Sequence, residues 1–282
     1  MKIALGTAQW GANYGISNKN GVPTDNELDK IISLACASGI DLLDTASGYG
    51  NAEQKLGNLT NNEFNIITKV GNINSENTIK QQLSKSLKNL KEESIYGCLF
   101  HNINELITTP LLWAELVSEK KAGNIKKIGC SLYYPYEIEF LLKNSFIPDI
   151  VQLPYSILDQ KFSTHFKKLK NKGVEIHVRS IFLQGIYFMK PNTIPKKLRA
   201  LKGAIDKIQK ICKKHSISIL DLCFQFILRN PLIDSLIIGV ESKNQLQEII
   251  SAISSEVKEE VFLQINMVQL EEKKMLNPSN WK

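Results

Sequence analysis

Short apolar runs rich in Ile, Leu and Val alternate along this chain with longer segments whose apolar residues return every three or four positions. The first pattern fits strands and the second amphipathic helices. The runs Lys2–Leu5, Asp41–Leu43, Asn65–Thr68, Ile95–Phe100, Lys127–Cys130, Ile150–Leu153, Glu175–Val178 and Leu236–Ile238 predict eight strands. Helical spacing predicts helices over Asn26–Ala37, Asn51–Leu59, Glu76–Leu90, Leu112–Ala122, Tyr136–Lys143, Phe162–Lys172, Ile194–His215, Ser218–Arg229 and Lys243–Ile253. Thr24-Asp25-Asn26-Glu27 reads as a capping box, with Gly39 at the stop of that helix. Ser75 is placed to cap the helix expected from Glu76.

Runs such as Ile66-Ile67-Thr68 and Ile150-Val151-Gln152-Leu153 are apolar on both faces, which suits parallel strands covered by helices. Strand–helix alternation means βαβ units. Eight such units in 282 residues predict an α/β fold, a closed TIM (β/α)8 barrel in a single domain over residues 1–282. Gly6 and Gly11 after the first strand do not form the Gly-x-Gly-x-x-Gly turn of an open dinucleotide-binding sheet. The segment from Asn192 to Ser216 is the one excess insertion, and Ser255 to Lys282 reads as polar helix followed by irregular chain packed near the barrel mouth or its outside.

Composition adds exclusions. At 43% hydrophobic and 22% charged residues the chain can bury a large core. It has no apolar stretch of about 18 residues, so no membrane partner is expected, and the start MKIALGTAQWG lacks a signal peptide's apolar region. A cytoplasmic location is the expectation. Cys36, Cys98, Cys130, Cys212 and Cys223 are scattered without a Cys-x-x-Cys pair, which argues against a disulfide framework or a metal site and for five small buried hydrophobes. The formal charge of +7 is spread over polar helix faces, such as Lys207, Lys210, Lys213 and Lys214, so nucleic acid is not the expected partner. The positive field would still help to draw in an anionic cofactor or substrate.

Chemistry in such a barrel collects where the strands end. After the second predicted strand come Asp44 and Tyr49, after the third Lys69, after the fourth His101, and after the fifth Ser131. Gln152 lies at the end of the sixth, Arg179 and Ser180 follow the seventh, and Gly239 follows the eighth. Reduction of a carbonyl needs a hydride and a proton. A free phenol ionises only near pH ~10, and an ammonium such as Lys69 beside Tyr49 is expected to lower that value. Asp44 would keep a sheltered Lys69 charged, and His101 would orient the substrate oxygen. Trp10, after the first strand, is expected to line the substrate pocket together with Tyr49 and His101, and the Tyr133-Tyr134 pair to contribute to its selectivity. His177, inside a strand, is given no role.

The run Asp44-Thr45-Ala46-Ser47-Gly48-Tyr49-Gly50-Asn51-Ala52-Glu53-Gln54-Lys55-Leu56-Gly57 resembles the signature stretch of the aldo-keto reductase family. Thr68-Lys69 and Leu99-Phe100-His101 are similar to the family's next two motifs, in the same order, and the similarity runs from about Ile3 to Glu248. The resemblance implies a reductase of aldehydes, ketones or sugar-derivative carbonyls, with Tyr49 as acid/base. It also implies a nicotinamide cofactor held by Ser131 and Gln152, by Arg179 and Ser180 after the seventh strand, and by Gly239, Gln245 and Glu248 around the adenosine. Leu132 stands where the family has an Asn, and Arg179 where it often has an aromatic. Gln245 replaces the Arg that often reads a 2′-phosphate, so NADP(H) is only favoured over NAD(H), with Lys243 as a substitute contact. Two other readings stay open: a lyase using Lys69 as a Schiff-base nucleophile, and a cofactor-sensing or partner-binding barrel with little turnover.

Overall fold

A computed structural model describes all of the chain except residues 17, 19, 61, 62, 271 and 282. Its eight strands are β1 (Lys2–Gly6), β2 (Leu42–Asp44), β3 (Asn65–Val70), β4 (Ile95–Phe100), β5 (Ile125–Ser131), β6 (Ile150–Pro154), β7 (Glu175–Arg179) and β8 (Ser235–Gly239). All pair in parallel and in chain order, and β8 returns to β1 to close the barrel, setting Gly6 beside Gly239. The expected (β/α)8 barrel is the observed fold.

Side chains alternate in and out along the strands. Ala4, Leu42, Ile67, Leu99, Ile150 and Ile237 gather in one small buried cluster that fills the barrel. Their strand neighbours Leu5, Leu43, Ile66, Cys98, Val151 and Leu236 belong instead to the large core beneath the helices. The same runs are therefore apolar on both faces because both faces are buried.

The helices are α1 (Ala8–Gly11), α2 (Asp25–Ala37), α3 (Ala52–Leu59), α4 (Ile79–Leu90), α5 (Asn104–Thr108), α6 (Leu112–Lys121), α7 (Pro135–Lys143), α8 (Phe166–Lys170), α9 (Arg199–Lys214), α10 (Ile219–Leu228), α11 (Lys243–Ile253) and α12 (Glu259–Asn266). Thr24 caps α2 by accepting a hydrogen bond from Glu27 N, and Gly39 follows at φ +70°, a left-handed conformation that glycine adopts without penalty. α4 begins later than the sequence suggests. Its cap is Thr78, in a reciprocal capping box with Gln81, and not Ser75. A turn intervenes, with Asn72 at φ 54°, Asn74 paired with Asn77, and Glu76 N donating to Asn74 Oδ1. The helix expected from Ile194 starts only at Arg199, after two short 3-10 turns around Pro195.

A second core lies outside the barrel. Ile205 and Ile208 of α9 share it with Phe262 and Ile265 of α12 and with Leu276 and Trp281 of the C-terminal segment. That segment also reaches the carboxyl-terminal side of the barrel, where Asn277 Nδ2 donates to the Tyr134 hydroxyl at 3.1 Å. Four cysteines are buried, but Cys36 is exposed, because α2 buries the stripe Leu28, Ile31, Ile32 and Ala35 instead. Among the described residues no helix is long and apolar enough to cross a membrane.

The amino-terminal end of the barrel carries a compact ionic cluster. The Tyr96 hydroxyl donates to Glu175 at 3.0 Å, and Lys127 Nζ also binds Glu175 while lying over the Tyr96 ring. His177 Nε2 is 3.3 Å from the same carboxylate, at the end of the barrel remote from the residues described next.

Candidate active site

Every strand but β4, which ends at Phe100 as expected, runs one or two residues further than the apolar runs alone suggest, and this places the polar residues within or directly after the ladder. Asp44 ends β2, Lys69 lies in β3, Ser131 ends β5, Gln152 is in β6, Arg179 ends β7, and Gly239 ends β8. His101 follows β4, fixed by His101 N donating to Val70 O at 2.8 Å. A side chain on a paired strand has little freedom to wander, which suits positions that must be held accurately.

Lys69 Nζ donates to Asp44 Oδ2 at 2.7 Å and to Thr45 O at 2.8 Å, and Asp44 Oδ1 accepts from Gln152 Nε2 at 2.7 Å. Lys69 is 1% exposed and Asp44 3%, so the pair is sealed from solvent. Burial lowers the Lys69 pKa, and the Asp44 charge works against that fall. Lys69 Nζ lies 5.2 Å from the Tyr49 ring centroid, and the Tyr49 and His101 rings meet edge to face at 5.5 Å. The structure thus brings Asp44, Tyr49, Lys69 and His101 together. Among the described residues the Tyr49 hydroxyl has no protein hydrogen-bond partner.

The electrostatics differ from expectation at one point. The Tyr49 phenol is pushed up, not down, first by burial and then by the Asp44 charge, with Arg179 acting the other way. The Lys69 ammonium does not reverse this, since Asp44 neutralises it at 2.7 Å. His101 is pushed down to about 4, chiefly by burial and next by Lys69. At neutral pH this wall therefore presents a protonated phenol and a neutral imidazole to the cavity.

The loop holding Tyr49 is clamped by two glycines. A Cβ on Gly11 would fall 1.8 Å from Tyr49 O, and one on Gly50, at φ 58°, would fall 2.2 Å from Gly11 O. Glu53 anchors the following helix, accepting from Thr68 Oγ1 at 2.6 Å and from Asn89 Nδ2 at 3.3 Å. The sequence shows Glu53 as part of the signature stretch, but its partners are far away in the chain and emerge only from the fold.

A cavity of about 490 Å³ opens over this rim. Asp44, Tyr49, His101, Ser131, Gln152, Arg179, Ser180, Gly239, Gln245 and Glu248 all line it, while Lys69 sits behind Asp44. Trp10 does not line it. Its indole is fully buried and donates to Val240 O at 3.1 Å, so the expectation of a pocket role is corrected to one of packing. Tyr133 lines the cavity, but Tyr134 turns away to stack on Tyr136 and to bind Asn277. Gln9, Tyr14, Phe188 and Glu241 line it without having been singled out in the sequence. Gln9 lies in the four-residue α1 and the others in short turns and loops, segments with no periodic pattern, so only the folded chain reveals them. Gln245 is engaged at its helix start, its Oε1 accepting from Glu241 N at 2.7 Å. Among the described residues no group of three or more His, Cys, Asp or Glu side chains is placed to hold a metal ion.

The closed eight-stranded barrel, with a polar-lined cavity over the carboxyl-terminal ends of its strands, sets the molecule among the (β/α)8 barrels. The model of the Aldo/keto reductase family matches residues 2–269, and the chain belongs to that family, as an NAD(P)H-dependent oxidoreductase. It is 24% identical, over an alignment of 297 positions covering 90% of each chain, to an NADH-specific methylglyoxal reductase of Escherichia coli. It is 26% identical over 263 aligned residues, covering 82% of this chain and 83% of the other, to the uncharacterized oxidoreductase YqkF of Bacillus subtilis. In fold it is similar to the aldo-keto reductase AKR11C1 from Bacillus halodurans, with a TM-score of 0.76, 20% identity, and 97% and 95% of the two chains covered. The glycerol dehydrogenase AKR11B4 from Gluconobacter oxydans gives 0.74 at 19% identity, with 94% and 90% covered.

Proposed function

We propose that the protein reduces a small aldehyde or ketone, with Tyr49 as proton donor to the carbonyl oxygen. The observation that carries this reading is the wall formed by Tyr49 and His101 in front of the buried Asp44–Lys69 pair. A phenol kept protonated by burial holds its proton until negative charge develops on the substrate oxygen, which is when general acid catalysis needs it. Neutral His101 donates a hydrogen bond that orients the oxygen. Lys69, fixed by Asp44 and Thr45 O, compensates the Asp44 charge, which would otherwise oppose the departure of the Tyr49 proton more strongly.

A reduced nicotinamide, when bound, supplies the hydride. The cavity fits it: Ser131 and Gln152 present polar side chains on the wall shared with Tyr49. Gln152 shares its amide with Asp44, which couples cofactor binding to the ionic pair. By the family resemblance, Gly239 to Glu248 hold the adenosine end, where Ser242 caps α11. Glu241 and Glu248 both line this end, and Glu27 binds Lys243 N beside it. Carboxylates accept hydrogen bonds from a ribose diol and repel a 2′-phosphate. This local charge supports NAD(H) in place of the NADP(H) lean drawn from the sequence.

The test is a fluorescence titration with NADH and NADPH followed by a panel of aldehydes and sugars. The reading predicts tighter binding of NADH and NADH-dependent reduction of at least one aldehyde. Binding of neither nucleotide would overturn it. Borohydride trapping of substrate on Lys69 would move the protein to the Schiff-base lyases.

A further inference from the structure

Arg179 is a cation without a counter-ion on the wall that carries Tyr49 and His101. Its contacts are neutral: Nη2 donates to Leu132 O at 3.2 Å, Nη1 to Ser180 Oγ at 3.4 Å, and the guanidinium covers the Tyr133 ring at 4.4 Å. Among the described residues it forms no ion pair. The carboxylates near enough to feel its charge are already engaged. Glu137 accepts from Tyr133 N and Tyr134 N, Asp159 from Lys161, and Asp44 from Lys69 and Gln152. A guanidinium offers five N–H donors in a planar fork suited to a carboxylate, and here that fork is largely uncommitted. Stacking on Tyr133 fixes its plane in advance, which lowers the entropy cost of gripping a ligand.

We infer that Arg179, backed by Tyr133, is an anion subsite that selects small carbonyl substrates bearing a carboxylate. The inference rests on the reductase reading and narrows its substrate class. The carboxylate meets the Arg179 fork while the carbonyl oxygen meets Tyr49 and His101. The carbonyl carbon gains the hydride of the reduced nicotinamide, the oxygen gains the Tyr49 proton to become a hydroxyl, and solvent restores the phenol. Arg179 ends β7 against Leu132 O and Tyr133, on the cavity wall that also carries Tyr49 and His101, and its charge acts on both of them. The formal charge of +7 favours the arrival of such an anion.

The experiment compares succinic semialdehyde with butanal, which has the same chain length and no carboxylate, using NADH-loaded wild-type protein and the variants Arg179→Met and Arg179→Lys. A charge-assisted hydrogen-bond pair predicts that wild type favours the carboxylate by about tenfold or more in kcat/KM, and that Arg179→Met removes roughly 10- to 100-fold of this through KM. Whatever Arg179→Met does to butanal reduction is common to both aldehydes, so the preference is read as the ratio of their kcat/KM values, and Arg179→Lys should restore part of it. Circular dichroism melts check that both variants fold, and NADH fluorescence gives the cofactor Kd. Equal kcat/KM for the two aldehydes in wild type, or equal losses for both in Arg179→Met, would overturn the inference. A roughly tenfold weaker NADH Kd in Arg179→Met would also do so, by assigning the fork to the cofactor diphosphate. If wild type with NADH bound reduces neither aldehyde, the reductase reading fails. Calorimetric binding of 4-hydroxybutyrate, lost in Arg179→Met, then decides the anion subsite on its own.

Discussion

The two ends of the barrel carry the same four kinds of side chain arranged to opposite effect. At the amino-terminal end Glu175 collects Tyr96, Lys127 and His177 onto one carboxylate. At the carboxyl-terminal end Asp44 is taken up by Lys69 and Gln152, which leaves the Tyr49 hydroxyl and His101 facing the cavity. Carboxylate, ammonium, phenol and imidazole therefore do not by themselves make a site. What separates the ends is which groups satisfy the carboxylate, and whether the phenol still has its proton to offer. The first arrangement ties strands together, and the second is the one proposed for chemistry.

The largest contrast is expected from the two lysines. Lys69→Met strands the buried Asp44 carboxylate, whose uncompensated charge then opposes ionisation of Tyr49. It should cut kcat by roughly 100- to 10,000-fold and cost about 3–5 kcal/mol of stability. Lys127→Met, whose side chain is 31% exposed, should leave kcat unchanged and cost about 1 kcal/mol or less. Steady-state kinetics and urea melts on both variants check the pair; a similar loss of kcat in both would break the comparison.

Next comes the clamp on the Tyr49 loop. Gly11→Ala drives a methyl group into Tyr49 O. A displacement of the donor on the ångström scale should lower kcat by about 100-fold. Gly203→Ala, in α9 with open space around it, serves as control and should gain about 0.5–1 kcal/mol in a thermal melt without changing kcat.

Acid sharpens the contrast further. Burial works to raise the Glu175 pKa, but the hydrogen bonds from His177 and Lys127 outweigh it and hold the carboxyl at about 2, below its ordinary 4.5. A depressed carboxylate contributes stability that is fully present above the ordinary value and is lost as pH falls through the folded one. Wild type should thus lose stability between about pH 4.5 and 2, and Glu175→Gln should flatten that slope in pH-dependent urea melts. His101 gives the smallest effect. With its pKa at about 4 instead of 6.5, it adds no inflection near pH 6.5 to kcat, and its ring protons should titrate near 4 by NMR.

Much of this was legible in the chain because the barrel buries both faces of every strand. Apolar runs such as Ile66-Ile67 and Ile150-Val151 marked the strands, and the polar residues closing them, Asp44, Lys69, His101, Ser131 and Gln152, fell at one rim. Features set by contacts distant in sequence were not legible. Trp10 follows the first strand as a pocket residue would, yet Val240 O captures its indole from 230 positions away. The Tyr49 pKa could not be signed from residue types, since burial and the Asp44–Lys69 pairing decide it. Gln152 reads as a cofactor contact, and only the fold shows its amide bonded to Asp44 across 108 positions. Local chemistry also misleads: Ser75 reads as the cap of the helix expected from Glu76, but the Asn74–Asn77 turn takes up the intervening residues and Thr78 caps the helix instead.

The central claim concerns one of two phenols, and a single-turnover measurement of NADH oxidation by an aldehyde addresses it directly, with Tyr49→Phe and Tyr96→Phe run beside wild type. The account predicts that Tyr49→Phe binds NADH normally but oxidises it about 1,000-fold more slowly, while Tyr96→Phe keeps the wild-type rate. A Tyr49→Phe protein that oxidises NADH as fast as wild type would contradict it.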